Sequence, residues 1–512
     1  MKSKIKGAAV GGALVAAAAL TLFAARNDFG LGRNMEITVN MMRALSLEYV
    51  DEVDPDHLME GAARGMVEDL DPYTEYIPEE GMQDFELLTT GKYGGIGSLI
   101  RQKEDYVRIA QPYQHSPADK AGLKIGDKII AIDGKDARGF TTEQVSERLK
   151  GEPGSTVKVT VEHLDGTRQS VAIRRERIAI PGVPYTGWVA DGIGYIRHSD
   201  FTEGCYEEMR AAVERLRREG ELKGLVLDYR SNGGGIMQEA VKILSMFVPK
   251  GTEVVSGALQ DLDRAVLVGQ RSFGKGLVQS TRPLGYNTML KLTTAKYYIP
   301  SGRCIQAVDY SHSQQGSVRT VPDSLISEFT TRAGRKVYDG GGIMPDLVTE
   351  PEYVSRFAVT LYALGFIEDF GDDYMRRHAG DTIDVRTFTI TDADYADFAE
   401  FMKDKKVPYE SDTRRALKAL KKAAEEDRFE ELAAKFERVE SELKDDTQTN
   451  LETYRREVVE SINNDIILRH AYTAGVIEHS LTDDAELQQA VGVLQSPDEY
   501  RRITTEQDTK KK

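Results

Sequence analysis

Residues 256–280 have the sequence SGALQDLDRAVLVGQRSFGKGLVQS, and the interpretation of the other regions depends on this stretch. Its apolar residues begin at helical spacing and continue over 265–268 as a short run typical of a strand. Lys275 follows in a tight turn between Gly274 and Gly276. A lysine partly buried in such a turn loses its proton more readily and can act as general base for a hydroxyl nucleophile. Gly-Lys-Gly alone is an ordinary surface turn, so the neighbouring sequence decides its meaning.

This stretch resembles the core of the carboxyl-terminal processing peptidases, which are serine proteases with a Ser/Lys catalytic pair and a PDZ domain. The resemblance runs from about Ile37 to Val348. It implies a multidomain α/β protein, in which an α/β peptidase core carries an inserted PDZ domain and α-helical N- and C-terminal segments. It also implies that Lys275 is the general base and that Gln279 orients it.

Composition narrows the classes of partner and cofactor. The 512 residues carry a net charge of −16, which argues against nucleic acid as a partner, and 40% are hydrophobic, which suffices for a multidomain core. Cys205 and Cys304 are too few for a disulfide scaffold and lie far from any metal-binding spacing, so we expect no cofactor and no metal. They either form one bond or stay unpaired. A nucleophilic Cys304 would need a histidine motif, and none accompanies it.

The N-terminus predicts export. Lys2, Lys4 and Lys6 precede the uncharged, mostly apolar run 7–25, a pattern typical of a signal peptide and long enough for a membrane anchor. We therefore expect residues 1–26 to be one or the other, with the protein in the cell envelope, periplasmic or membrane-anchored. A buried alanine-rich core helix is the alternative.

Three further regions are assigned by pattern and resemblance. Apolar residues at three- and four-residue spacing predict an N-terminal helical segment over 35–87 and a helical C-terminal region over 384–512. The peptidase core is assigned to 179–350. The apolar stripe of the C-terminal helices either packs on this core or binds a partner or second subunit.

Short strands and turns over residues 88–178 resemble a PDZ domain, most specifically in the run from Ser116 to Gly134. PDZ domains bind a peptide C-terminus as an added strand, and successive backbone N–H groups of a glycine-rich loop hold the terminal carboxylate. Protein or peptide partners with free C-termini are therefore expected. The carboxylate-binding loop would consist of Gly94, Gly95, Ile96 and Gly97.

Apolar residues on one face predict a helix from Cys205 to Glu219. The apolar strand 224–228 then runs into a glycine-rich turn, LDYRSNGGG, followed by a helix. This arrangement points free N–H groups at an anion, but a phosphate-binding loop would need a Gly-Lys-Ser/Thr ending that is missing here. The turn resembles the family's oxyanion motif, which implies that the N–H of Gly234 stabilises the developing oxyanion. Asp228 is then either a capping group of the turn or part of the catalytic site.

One segment of the family's sequence is missing from this chain. In the family, a strand and a Ser-Ala-Ser-Glu turn that bears the nucleophile precede GALQD, whereas only residues 248–255 separate the two predicted helices here. The nucleophile's position falls on Lys250, and Ser245 and Ser256 fall within helices. Two functions therefore remain open: a serine endopeptidase that recognises C-termini, and a non-catalytic PDZ scaffold, or pseudoprotease. A gap in the sequence record would give the same pattern.

Overall fold

A computed structural model gives the fold and describes residues 30–248, 255–309, 319–320, 326–443 and 446–505. The predicted export segment 1–26 and the junction at Lys250 lie outside these ranges. Within them, no helix is long and apolar enough to cross a membrane.

Helices occupy both ends of the described chain. In chain order they are α1 (30–48), α2 (Pro55–Val67), α3 (Met82–Thr90), α4 (Pro117–Lys120), α5 (Thr142–Leu149), α6 (Cys205–Glu219), α7 (Met237–Ser245), α8 (Val255–Asp261), α9 (Arg356–Ala363), α10 (Phe366–Arg377), α11 (Asp392–Phe401), α12 (Asp412–Glu426), α13 (Ala433–Glu442), α14 (Thr447–Thr453), α15 (Arg455–Ser480), α16 (Ala485–Gln495) and α17 (Pro497–Thr505).

Strands fill the middle of the chain. They are β1 (Glu75–Ile77), β2 (Lys92–Gly95), β3 (Ser98–Lys103), β4 (Tyr106–Pro112), β5 (Lys128–Ile132), β6 (Lys135–Asp136), β7 (Thr156–Glu162), β8 (Arg168–Arg174), β9 (Glu176–Ala179), β10 (Tyr185–Ala190), β11 (Ile193–Arg197), β12 (Gly224–Asp228), β13 (Val268–Gly269), β14 (Leu277–Gly285), β15 (Thr288–Lys296), β16 (Val308–Asp309), β17 (Arg319–Thr320), β18 (Glu328–Thr330), β19 (Lys336–Tyr338) and β20 (Leu347–Val348).

The chain divides into two compact units. The smaller contains residues 30–82, 277–296 and the described part of 308–320. Its antiparallel sheet has the order β1-β15-β14. A two-residue turn at Tyr286 and Asn287, each with positive φ, joins β14 and β15 into a long hairpin.

The larger unit begins with the predicted PDZ region. Its sheet has the order β3-β4-β5-β7-β8, with β6 paired to β5. Alternate residues of the central strands are buried against Val145 and Leu149 of α5. Thr141 and Gln144 form a capping box that fixes the start of α5. Among the described residues β3 pairs with β4 alone, so β3 is an edge strand.

The predicted peptidase core of the larger unit contains the sheet β10-β11-β12, in which β11 and β12 run parallel. The predicted helix over Cys205–Glu219 and the predicted strand Gly224–Asp228 are confirmed to the residue. The strand predicted over 265–268 is wrong in extent, since β13 covers only Val268–Gly269. Leu267 contributes only its carbonyl, which accepts from Leu347 N, because its N–H donates to the Asp346 carboxylate.

The last part of the larger unit is helical, and its core is formed by buried aromatic and aliphatic side chains that include Phe357, Phe370 and Phe398. Helices begin at Arg356, before the region 384–512 in which they were predicted, and continue to Thr505. The first two are short, 8 and 12 residues, and Gly365 separates them with a φ of 76°. This interruption breaks the periodicity that a sequence pattern depends on.

Candidate functional site

The Lys275 turn is closely packed. A side chain carbon on Gly274, whose φ is +81°, would lie 2.6 Å from Ala307 Cβ, and one on Gly276 would lie 2.9 Å from Gln306 N. Only glycine therefore fits on either side of the half-buried lysine. The space beside the two glycines is occupied by residues 305–307.

Hydrogen bonds fix the backbone of this turn on both sides of the lysine. The hydroxyl of Tyr297 donates to the carbonyl of Lys275 at 2.6 Å, and the Tyr297 N–H donates to Gly276 O at 3.0 Å. The Gly276 N–H donates to Gln306 Oε1 at 2.7 Å. A base on such a turn is held in a defined position before any substrate arrives.

Cys304 lies next to the same turn. Its Sγ would be 3.2 Å from a side-chain carbon on Gly276, and the thiol is half-buried. Cys205 is fully buried, and both are free thiols, so the pair forms no disulfide. No group of three or more histidine, cysteine or acidic residues within the described ranges could hold a metal ion.

Gln279 belongs to the smaller unit, whereas Lys275 and Gly234 belong to the larger one. On β14 it faces Thr293, and its Nε2 donates to Thr293 Oγ1 at 3.2 Å. Thr293 Oγ1 in turn donates to the Asp71 carboxylate at 3.0 Å. The Gln279 amide is therefore anchored in a polar network of its own unit.

Hydrogen bonds fix the backbone of the turn that carries Gly234. The Gly234 N–H, predicted to face an oxyanion, donates to Asn232 Oδ1 at 2.9 Å, and its carbonyl accepts from Phe201 N at 2.9 Å. Gly234 has a φ of +101°, and the space beside it is open. An oxyanion would therefore have to compete with the Asn232 amide for this N–H.

Asp228 ends β12 and orders the turn electrostatically. It accepts from Tyr195 Oη at 2.5 Å, Arg197 at 2.7 Å and Arg230 at 2.7 Å. Burial raises the pKa of this carboxyl, but the hydrogen bonds and charge of Arg230 outweigh burial and lower it to about 2. Between the two predicted roles, these contacts favour a structural one, because every partner is part of the scaffold.

His198 was missed in the sequence and lies behind the same turn. It is 0% exposed, and Asn232 Nδ2 donates to its Nδ1 at 3.0 Å. Because an amide NH2 only donates, the ring proton is on Nε2, and this atom has no partner among the described residues. Burial lowers the pKa of His198 to about 4. The imidazole thus supports Asn232, which in turn bonds Gly234.

The predicted carboxylate loop is only partly a loop. Gly94 and Gly95 pair with Arg177 and Glu176 as the end of β2, and Gly97 has a φ of +76°. The carbonyls of Ile96 and Gly97 accept from the N–H groups of Ala118 and Tyr113, at 2.8 and 2.9 Å. The predicted loop residues therefore lead from β2 into the edge strand β3.

Tyr93 adds a polar group to this region. Burial raises the pKa of the Tyr93 hydroxyl. The ring lies against Gly95, where a side-chain carbon would be 2.8 Å from Tyr93 Cε2. The sequence could have indicated Tyr93, because this residue lies directly before the GGIG run.

Family models match four parts of the chain. They are described as "Activating protease CtpB N-terminal domain" (26–81), "PDZ domain" (108–163), "Peptidase family S41" (192–255 and 251–312) and "Probable PDZ-protease, C-terminal helical domain" (357–494). The Carboxy-terminal-processing protease of Bartonella bacilliformis is 32% identical over 305 residues, covering 51% of this chain and 70% of that protein. The chain belongs to the carboxy-terminal processing protease family.

Two further members of the family are also similar to this chain in sequence. Carboxy-terminal processing protease CtpA of Bacillus subtilis is 28% identical over 339 residues, covering 57% of this chain and 72% of that protein. The solved PDZ domain of the Carboxy-Terminal Protease from Vibrio cholerae, in complex with peptide, is 31% identical over 17% of this chain and 99% of that chain, with a TM-score of 0.17.

A buried ionic network joins the GALQD helix of this family member to the following segments. Arg303 bonds Asp261 and Gln260, each at 2.8 Å, and Arg335 bonds Asp346 at 2.6 Å. These charged residues had no predicted role. A signal was present in the sequence, because Arg303 and Asp346 lie in the runs IPSGRCIQ and VYDGGGIMPD, among apolar residues and glycines.

Proposed function

We propose that this member of the carboxy-terminal processing protease family binds the free C-termini of proteins or peptides in its PDZ groove and, as the chain stands, does not cleave them by a serine mechanism. The observation that carries the binding half is the edge strand β3, which lies beside α5 and directly follows Gly97. An added peptide strand pairs with such an edge through main-chain hydrogen bonds.

The backbone of the loop suits a carboxylate. In a trans peptide the C=O and N–H groups point in opposite directions. Because the carbonyls of Ile96 and Gly97 point toward residues 113–118, the N–H groups of Gly97 and Ser98 point the other way. Two successive N–H groups on one side can hold both oxygens of a terminal carboxylate. The side chains of Val145 and Ile100 support an apolar last residue.

The catalytic half of the proposal rests on sequence. A base and an oxyanion donor act only on an adduct formed by a nucleophile, and no serine turn precedes GALQD. The family model for the peptidase matches in two pieces that overlap at residues 251–255, which supports a chain joined where other members have more sequence. Lys275, Gln279 and Gly234 would then be remnants of an ancestral site.

A serine endopeptidase is the second candidate. It is favoured by the Lys275 turn, whose backbone is fixed by hydrogen bonds with Tyr297 and Gln306. Reading the gene across the codons for residues 248–256 would separate a true junction from a gap in the sequence.

The proposal also covers the cellular location and the assembly of the protein. The basic residues before the apolar run 7–25 support an envelope protein, periplasmic or anchored in the membrane. The C-terminal helices are proposed to provide an oligomer contact. Fractionation should recover the full chain with the envelope, and recovery in the soluble cytosol would contradict this part.

The binding test uses the full chain and a hexapeptide that ends in an apolar residue with a free carboxylate. Titration calorimetry should give a measurable Kd for this peptide and at least a tenfold weaker one for the amidated peptide, since amidation removes the charge that the loop N–H groups hold. Equal affinities for the two peptides would reject carboxylate capture at residues 94–97.

A further inference from the structure

Tyr472 breaks the geometry of the longest helix described. Within α15 its φ is 56° and its ψ is −167°, so the helix is kinked there. Only glycine adopts this region of backbone conformation without strain. Such strain persists only when surrounding contacts hold the residue in place, so the contacts of Tyr472 are informative.

Two contacts hold the kink, and both come from the PDZ region. The hydroxyl of Tyr472 donates to Asp119 Oδ1 at 2.6 Å, and the hydroxyl of Thr473 accepts from Gln111 Nε2 at 2.8 Å. Gln111 lies on β4, opposite Leu99 of the edge strand. The hydrogen bond to Asp119 also raises the pKa of Tyr472 to about 12, which matches a hydroxyl that donates to a carboxylate.

Asp119 is bonded into the turn on which the carboxylate loop rests. Its other oxygen, Oδ2, accepts from the N–H of His115 at 2.7 Å, and its own N–H donates to Ser116 Oγ. A side-chain carbon on Gly97 would lie 2.5 Å from Ser116 Cβ, so the loop and the turn are in van der Waals contact. The bond from Ala118 N to Ile96 O completes the connection.

We propose that Tyr472 is a positioning residue for the carboxylate loop: through Asp119 it holds the 113–119 turn so that the N–H groups of Gly97 and Ser98 are oriented for a peptide carboxylate. The inference rests on the proposed peptide binding at this loop. Docking of the helical region thereby raises the peptide affinity of the PDZ groove.

The coupling works in both directions. If the contact between Tyr472 and Asp119 raises affinity for peptide, bound peptide must strengthen that contact by the same factor. Bound peptide should therefore stabilise the kinked form of α15, and amide exchange in its second half should slow. A residue that only supports folding would not show this reciprocal effect.

The experiment measures peptide affinity and amide exchange on the full chain with the free-carboxylate hexapeptide. In Tyr472→Phe the ring stays and the hydrogen bond is lost, so Kd should rise about fivefold or more. Tyr472→Gly also removes the hydroxyl but relieves the backbone strain, and it should weaken binding to a similar degree. Peptide should slow exchange over residues 466–480 in the wild type, and in neither variant.

A matched control is Tyr395→Phe, which removes a buried hydroxyl bond of equal length, 2.6 Å to Leu451 O, within the helical region. It should leave Kd unchanged. Wild-type Kd and wild-type exchange protection in Tyr472→Phe would overturn the inference while peptide binding stands. Equal binding of free and amidated peptides by the wild type would instead reject the proposed function.

Discussion

The carboxylate of Asp261 and the guanidinium of Arg303 are 2.8 Å apart, and their side chains are 0% and 1% exposed. This pair joins the end of α8 to the segment that packs against the Lys275 turn. Gln260 accepts a second bond from Arg303, and Asp261 accepts the N–H of Ser301 at 3.0 Å. The charged residues of the most recognisable motif therefore hold the scaffold of the site.

Replacing one partner of this pair should be costly. Arg303→Met leaves the Asp261 carboxylate buried without its counter-charge, and we expect a loss of about 3–5 kcal/mol in the free energy of unfolding. Urea denaturation measures the loss. Arg210→Met removes the exposed pairs with Glu207 and Glu214 and should cost under about 1 kcal/mol. Equal losses in the two variants would contradict a buried, uncompensated charge.

His198 should make stability depend on pH. Its folded pKa of about 4 lies below the ordinary value near 6.5, so the unfolded chain binds the proton first. The contribution of neutral His198 to the free energy of unfolding is therefore complete above about pH 6.5. It declines toward pH 4, by at most about 1.4 kcal/mol per pH unit. His198→Asn keeps an oxygen acceptor for Asn232 but does not titrate.

We expect the His198→Asn variant to be less stable than the wild type at pH 7.5 and to lose less stability between pH 6.5 and 4.5. Urea unfolding at several pH values measures both slopes. Between pH 7.5 and 9 the free energies of unfolding of the two proteins should change with pH in parallel, which serves as the internal control. Identical slopes in the acid range would show that His198 is protonated as easily in the folded protein as in the unfolded chain.

Gly97 should be sensitive to a single added methyl group. Gly97→Ala strains a backbone with φ +76° and places a carbon 2.5 Å from Ser116 Cβ, so the loop must shift. Gly134→Ala is the matched control, because its φ is +79° and the space beside it is open. Calorimetry should show weaker peptide binding, by about tenfold or more, for Gly97→Ala alone. Equal Kd values in the two variants would place the peptide carboxylate elsewhere.

The sequence pattern predicted the helices and strands whose ends are marked by neighbouring residues. The helix from Cys205 to Glu219 was predicted to the residue because its apolar face is regular and glycines precede and follow it. Long-range partners were not predictable, since Arg303 reaches Asp261 across 42 residues and nothing local marks the pair. The N–H of Gly234 was expected to be open, and only the structure shows that Asn232 accepts it.

The final prediction concerns catalysis. In a site that works as a unit, removing the nucleophile alone costs on the order of a millionfold in turnover. The base and the oxyanion donor act only within hydrogen-bond reach of the adduct, and a fluorophosphonate labels only a serine that such a site activates. Ser245 donates its hydroxyl to Val241 O at 2.8 Å within α7, which leaves it poorly placed as a nucleophile.

The full chain should therefore show no fluorophosphonate-labelled serine and no cleavage of a tagged substrate with a free C-terminus. Lys275→Ala is the matched variant, because a Ser/Lys site loses its labelling when the base is removed. Mass spectrometry of the labelled chain identifies any modified residue. Specific labelling of one serine that disappears in Lys275→Ala would show that the chain is an active endopeptidase with a nucleophile outside the position that aligns with Lys250. The absence of such labelling would support Lys275 as a remnant of a lost site and peptide binding as the proposed function of this chain.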